Sequence, residues 1–126
     1  MTDLKGKFGL AGALLALCLN APATAHHSFA MFDHAKHETL QGTVKNYNWT
    51  NPHMSIEILA PKPEGGPRLD WTIEGPSVSM LVRNGWTRSL MKPGDEITLT
   101  MNPLKSGVPG GSLMTVTVAG KTLIAH

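Results

Sequence analysis

The sequence predicts a mostly β domain with five strands and one short helix, which lies between the third and fourth strands. Two observations carry this prediction. Five segments alternate apolar and polar residues, with the period of a half-buried strand, and clusters of proline and glycine separate them. After Glu74 the period changes, and Ser77 stands where a helix needs an N-terminal cap.

The predicted elements begin at residue 39. The first strand covers 39–49, and Gly42 within it predicts a β-bulge. The stretch Thr50-Asn51-Pro52-His53 predicts a turn, because proline interrupts regular strand pairing. The remaining predicted elements are strands at 54–60, 68–74, 96–101 and 112–118, a helix at 78–84, and a turn at 119–121 before a short tail.

Three strands, a helix and then two strands, in about 100 residues, is the element order of an OB-fold barrel. Another small five-stranded roll would have the same order. Closure into a barrel suits a domain without disulfides, because it leaves few unpaired strand edges. The prediction is therefore a small five-stranded OB-fold-like barrel over residues 39–126.

The N-terminus has the three-part order of a secretory signal peptide. Lys5 and Lys7 precede an apolar run from Phe8 to Leu19, and Ala23 and Ala25 form a small-residue cleavage site. The run is shorter than the roughly 20 apolar residues of a membrane-spanning helix. The sequence thus predicts a cleaved signal peptide at 1–25, a periplasmic protein that begins at His26, and no stable membrane insertion after cleavage.

Cys18 is the only cysteine, and it lies within the predicted signal peptide. A lipoprotein anchored through this thiol is disfavoured, because the bulky Leu17 stands directly before Cys18, where lipoprotein processing requires a small residue. Cleavage after Ala25 would leave no thiolate ligand. A transition metal would then depend on histidine, methionine, carboxylates and the terminal amine.

The charge balance of the predicted mature chain argues against nucleic acid as a partner. Removing Lys5 and Lys7 from eleven basic residues, and Asp3 from nine acidic ones, leaves nine and eight. The two signs are interspersed, without the basic stripe that nucleic-acid binding requires.

Histidines are concentrated in the predicted N-terminal segment, residues 26–38. Five of the six histidines fall between His26 and His53. Phe29 and Phe32 are three positions apart, so one helical turn would bury both and place His34 and His37 on another face.

A histidine at the first position offers a chelate that an internal histidine lacks. The terminal amine and the Nδ1 of His26 would hold one metal ion, and a distant His53 would complete a T-shaped "histidine brace". An unperturbed terminal amine has a pKa of about 7.7–8.0, so a metal displaces its proton at little cost. Three coplanar nitrogens suit Cu(II), with zinc as the second choice, and His27 adds an adjacent imidazole.

Other assignments stay open at this point. Met31 or Met54 would supply an axial sulfur, and His34 with His37 would form a second pair if helical. Alternatively, the terminal histidines are solvated chain, and His53 only bonds to backbone in its turn.

The three tryptophans and two strand carboxylates can each be interpreted as structural or as functional residues. Trp71 is expected in the core, whereas Trp49 and Trp86 end elements, as part of a contact surface or as half-buried structural residues. Asp70 and Glu74 share the polar face of a strand and are expected to be solvated.

Several motifs carry a family resemblance. They are His26-His27-Ser28-Phe29, Phe32-Asp33, Leu40-x-Gly42-x-Val44, Trp49-Thr50-Asn51-Pro52-His53, Gly85-Trp86-Thr87-Arg88 and Lys92-Pro93-Gly94-Asp95. With them the chain resembles a family of small exported bacterial proteins, the domain of unknown function 6152. The resemblance implies an exported, β-rich single domain, with His26, His27 and His53 as site positions. His34 and His37 do not belong to the pattern.

Three functions follow as hypotheses. The first is an exported copper-binding protein, a carrier or buffer, with metal ligands His26, His27 and His53. The second is an OB-like module without metal, an accessory subunit for a periplasmic protein partner with Trp49 and Trp86 on the contact face. The third and least favoured is a copper oxidase or oxygenase, because no substrate surface is evident.

Overall fold

The computed structural model describes residues 29–126, which form a mostly β structure. The prediction of one short helix between the third and fourth strands is confirmed. A 3-10 helix at Phe29–Met31 precedes the first strand. The other elements are β1 (Glu38–Asn48), β2 (Ser55–Lys62), β3 (Gly65–Glu74), α1 (Val78–Arg83), β4 (Glu96–Pro103), β5 (Gly110–Val118) and β6 (Lys121–Ile124).

The six strands form one sheet in the order β3-β2-β1-β4-β5-β6, and β3 also pairs with β5. That last pairing is parallel, from Thr72↔Gly110 to Glu74↔Ser112, whereas the other five strand pairs are antiparallel. The hydrogen-bonded succession therefore returns from β5 to β3. No helix within residues 29–126 has the length and apolar character to cross a membrane.

β1 is shared between two neighbours. Its first half, Glu38 to Thr43, pairs with β4, and its second half, Thr43 to Asn48, pairs with β2. Gly42 lies where the strand changes partner. A Cβ there would overlap the carbonyl oxygen of Leu59 and lie 2.7 Å from the Cβ of Ala60. Glycine is thus required at position 42 because the backbone of β2 approaches closely there. The β-bulge predicted at Gly42 lies a little further along the strand, between Val44 and Asn46.

The predicted alternation of strand residues produces the core. Trp71 is buried as predicted, and Leu81 closes the core from α1. The helix begins as predicted, since the Ser77 side chain accepts a hydrogen bond from the backbone N–H of Met80. The largest fully buried side chains are Trp86, Leu40, Met54, Ile56, Ile58, Ile73, Leu81, Leu99, Met101, Leu113, Val44 and Val116.

The prediction of five strands was wrong, because residues 29–126 form six. The turn at Ala119 and Gly120 is present, but the predicted tail after it continues as β6, antiparallel to β5. Both turn residues have positive φ, 48° and 79°, as the two-residue hairpin turn that suits strand twist requires. Four residues offer too short a pattern for alternation to be recognised.

The N-terminal segment also differs from its prediction. Phe32 is buried, but Phe29 is 75% exposed, so the single 3-10 turn does not bury both rings. Residues 33–37 are not helical, and His34 and His37 therefore do not share a helical face. The segment is instead fixed to the end of β4 by a bridge between Phe32 and Leu104. The backbone N–H of Asp33 adds a 2.8 Å hydrogen bond to the Pro103 carbonyl.

We predict that Gly42→Ala lowers the free energy of unfolding by about 2–3 kcal/mol, because the new methyl group meets the backbone of β2. Urea denaturation of the variant measures the loss. Thr39→Ala, at an exposed position of the same strand, is the matched control and should change stability by less than about 0.5 kcal/mol. Equal losses in the two variants would contradict the close-approach explanation.

We further predict that Ala119→Gly stabilises the protein by about 0.5–1 kcal/mol. An L-residue with a side chain is strained at φ 48°, and glycine removes that strain. The greater freedom of glycine in the unfolded chain offsets only part of this gain. Thermal unfolding measures the gain. Gly120→Ala, in the same turn, should destabilise instead, and a stabilising result there would refute the turn analysis.

Candidate functional site

A cleft of about 430 Å³ opens where the end of β3, the Asn-Pro-His turn, α1 and the first described residues meet. Three of the four histidines within residues 29–126 line it, and its one acidic residue is Glu74. Lysine and arginine are missing from the lining formed by these described residues. The lining consists of Phe29, Phe32, His34, His53, Glu74, Gly75, Pro76, Met80, Asn102, Ser112, Leu113 and His126.

His53 is held in the turn between β1 and β2, in which the Asn51–Pro52 peptide bond is cis. The side-chain oxygen of Asn51 accepts a 3.1 Å hydrogen bond from the backbone N–H of Val78, the first residue of α1. On the other side, the Gly75 N–H donates to the Met54 carbonyl at 2.7 Å. The turn is therefore attached both to the helix start and to the end of β3, and this attachment positions His53 at the cleft.

The ring of His53 faces two oxygen atoms. Its Nδ1 lies 3.3 Å from the Gly75 carbonyl oxygen and 3.6 Å from Oε1 of Glu74. Both are acceptors, so this arrangement favours the tautomer that carries its proton on Nδ1. An imidazole in that tautomer carries its lone pair on Nε2, and this is the nitrogen through which it would bind a metal.

His34 contacts the first described residue of the chain. Its ring stacks on Phe29, with a centroid distance of 3.7 Å and an interplanar angle of 16°. Its Nε2 lies 2.9 Å from the Phe29 carbonyl oxygen, and its ring also meets Phe32 edge-on at 6.4 Å. These contacts hold the chain at Phe29 against the cleft.

His126 reaches the same cleft from β6. The preceding Ala125 is fully buried, and its N–H donates a 2.9 Å hydrogen bond to the Met114 carbonyl. The indole N–H of Trp86 donates to the Ile124 carbonyl at 2.8 Å. The sequence assigned this residue to a short tail, and no local signal identifies it, since its position depends on β6.

The model of one protein family, described as a family of unknown function (DUF6152), matches residues 14–113. The chain belongs to this family. The predicted resemblance is thereby confirmed, whereas export and a bacterial source remain predictions. No curated protein and no solved structure matches the chain. The matched part of this DUF6152 member contains His53 and Glu74, whereas His126 lies beyond it.

Of the three predicted ligands in this DUF6152 chain, only His53 falls within the described residues. His26 and His27 lie outside them, so their part in the site stays a prediction. Among residues 29–126, no three histidine, cysteine, aspartate or glutamate side chains form a group that would hold a metal ion. His37 is exposed and does not line the cleft.

The methionines also differ from expectation. Met54 was an alternative axial ligand, but it is 0% exposed in the core, below Gly75. Met31 is partly exposed and does not line the cleft. The thioether that does line it belongs to Met80, which is 41% exposed on α1. Sequence spacing did not single out this residue, because a methionine in a short helix is usually a core residue.

The two strand carboxylates behave differently. Asp70 is solvated as predicted, with the Lys45 ammonium 2.6 Å away, and this hydrogen bond raises the pKa of Lys45. Glu74, four residues further along β3, was also expected to be solvated. Its side chain is instead only 23% exposed, because the strand ends beside His53 at the cleft.

The two tryptophans at element ends have separate environments. Trp86 is buried in the core, so it is not part of a contact face. Trp49 is half-buried and packs against Tyr47, with the two ring centroids 5.6 Å apart. The Tyr47 hydroxyl donates a hydrogen bond to the Thr87 carbonyl. Burial raises the pKa of Tyr47. This aromatic pair supports the end of β1 rather than the cleft.

Proposed function

We propose that the chain is an exported, periplasmic copper-binding protein whose metal is held by the amine and ring of His26 and by His53. The observation that carries the proposal is that Phe29 and His53 line the same cleft. His26 precedes Phe29 by three residues, and three extended residues span at most about 10 Å. A chain that begins at His26 would therefore have its first residue within about 10 Å of Phe29, at the cleft that His53 also lines.

The surroundings of His53 suit a metal ligand. Histidines that bind metals usually donate their second ring N–H to a carboxylate or a backbone carbonyl, which fixes the ring and raises its basicity. Glu74 and the Gly75 carbonyl stand at Nδ1 in this way. Nε2 of His53 would then be the third nitrogen beside the two from His26, an arrangement that favours Cu(II) over zinc.

The electrostatics of the cleft support a cationic ligand. Glu74 contributes negative charge, and the described lining contains no lysine or arginine that would repel a metal ion. Neutral imidazoles add donor atoms without adding positive charge. His27 would supply one more imidazole next to the proposed site.

We also interpret the sheet as an OB-fold barrel, on which the cleft lies at one end. The support is the succession of strand pairs β1-β2-β3-β5-β4 and back to β1, together with the helix between β3 and β4. OB folds bind ligands through their loops and the face of their second and third strands. His53 lies on the first of those loops.

A protein-binding module without metal is the second candidate. The observation in its favour is that Phe29 and Met80 expose apolar surface at the rim of the cleft. Its contact face would contain these residues instead of the buried Trp86. A partner captured equally well with and without EDTA would favour this candidate over the copper site.

We predict that the chain beginning at His26 binds one Cu(II) with a nitrogen-rich type 2 EPR spectrum. One glycine added before His26 removes the amine from the chelate and should weaken binding by about 100-fold or more, equivalent to about 2.7 kcal/mol. Intact mass with metal analysis establishes the first residue and the stoichiometry. Copper affinity unchanged by the added glycine would end the brace proposal.

We predict in addition that Glu74→Ala weakens copper binding by about tenfold, because the His53 ring loses a group that orients it. Asp70→Ala is the matched control, since this carboxylate lies on the same strand but away from the cleft. Competition with a chelator of known affinity measures both. An equal effect of the two substitutions would mean that Glu74 acts only through general charge.

A further inference from the structure

We propose that His126 supplies a further nitrogen ligand to the metal in this cleft, an inference that rests on the copper site proposed above. The observation that supports it is that histidines from distant parts of the sequence line the same cleft. His53 and His126 are 73 positions apart in sequence, yet both line one cleft, together with His34. His37, the fourth histidine within residues 29–126, lies elsewhere on the surface.

The backbone before His126 is anchored, which distinguishes this residue from a solvated tail. Ala125 is fully buried and bonded to Met114, and the Ile124 carbonyl accepts the indole N–H of Trp86. His126 itself is exposed and lines the cleft. An anchored backbone limits the ordering entropy that a ligand loses on coordination.

His34 is the competing imidazole, and its contacts assign it another role. Its Nε2 bonds to the Phe29 carbonyl, and its ring is stacked on Phe29. His34 therefore positions the start of the described chain. The His126 ring, in contrast, makes no hydrogen bond to the part of the chain that the structure describes, and it remains available to a metal.

The resulting donor set is chemically consistent. The amine and Nδ1 of His26, Nε2 of His53 and one ring nitrogen of His126 make four nitrogens. A tetragonal set of four nitrogens is a geometry that suits Cu(II). Ligands from two regions of the chain that are distant in sequence, at His26 and at His126, would then contribute to one site.

The test compares the chain that begins at His26 with His126→Ala, His53→Ala and the control His37→Ala. Cu(II) affinity is measured by chelator competition, and the number of coordinated nitrogens by EPR hyperfine structure. We expect His126→Ala to weaken binding by at least about tenfold and to remove one nitrogen. His37→Ala should have the same copper affinity as the unsubstituted chain. The circular dichroism spectrum of His126→Gln, a substitution that keeps a polar side chain, controls for folding.

The outcomes separate the two proposals. Unchanged affinity and EPR in His126→Ala, with loss in His53→Ala, would overturn the role of His126 and leave the brace intact. Copper binding that tolerates an added N-terminal glycine but is lost in His126→Ala would overturn the brace and support His126. Absence of copper binding by the unsubstituted chain would overturn both.

Discussion

The close contact between Gly42 and the backbone of β2 is the constraint on which the rest of the structure depends. β1 can pair with β4 in its first half and β2 in its second only if the two neighbours approach it at one point without a side chain between them. This sharing joins the β1-β2-β3 meander to β4 and β5. The second half of β1, which pairs with β2, leads directly into the turn that carries His53.

The cleft is a product of contacts between distant parts of the chain. β3 supplies Glu74, the turn after β1 supplies His53, and the residue after β6 supplies His126. The cleft thus brings together three imidazoles and one carboxylate from parts of the chain that lie far apart in sequence.

Local physics explains which parts of this arrangement were predictable from sequence. Period-two alternation, the Ser77 cap and the Asn-Pro turn act within a few residues, so they revealed the strands, the helix and the loop of His53. The environments of Glu74 and Trp86 depend on which residues pack against them. The sequence pattern alone therefore predicted a solvated Glu74 and placed Trp86 only at the end of an element. β6 was missed because four residues carry little periodic signal, and His126 was missed with it.

The parallel pairing of β3 with β5 has a consequence for how the protein folds. Glu74 and Ser112 are register partners 38 positions apart, and both line the cleft. Pairs so distant in sequence form only after a long loop has closed, which makes such topologies slow to fold. The cleft is therefore complete only when the loop between β3 and β5 has closed. A ligand that recognises the cleft would bind the folded domain and so stabilise it against unfolding.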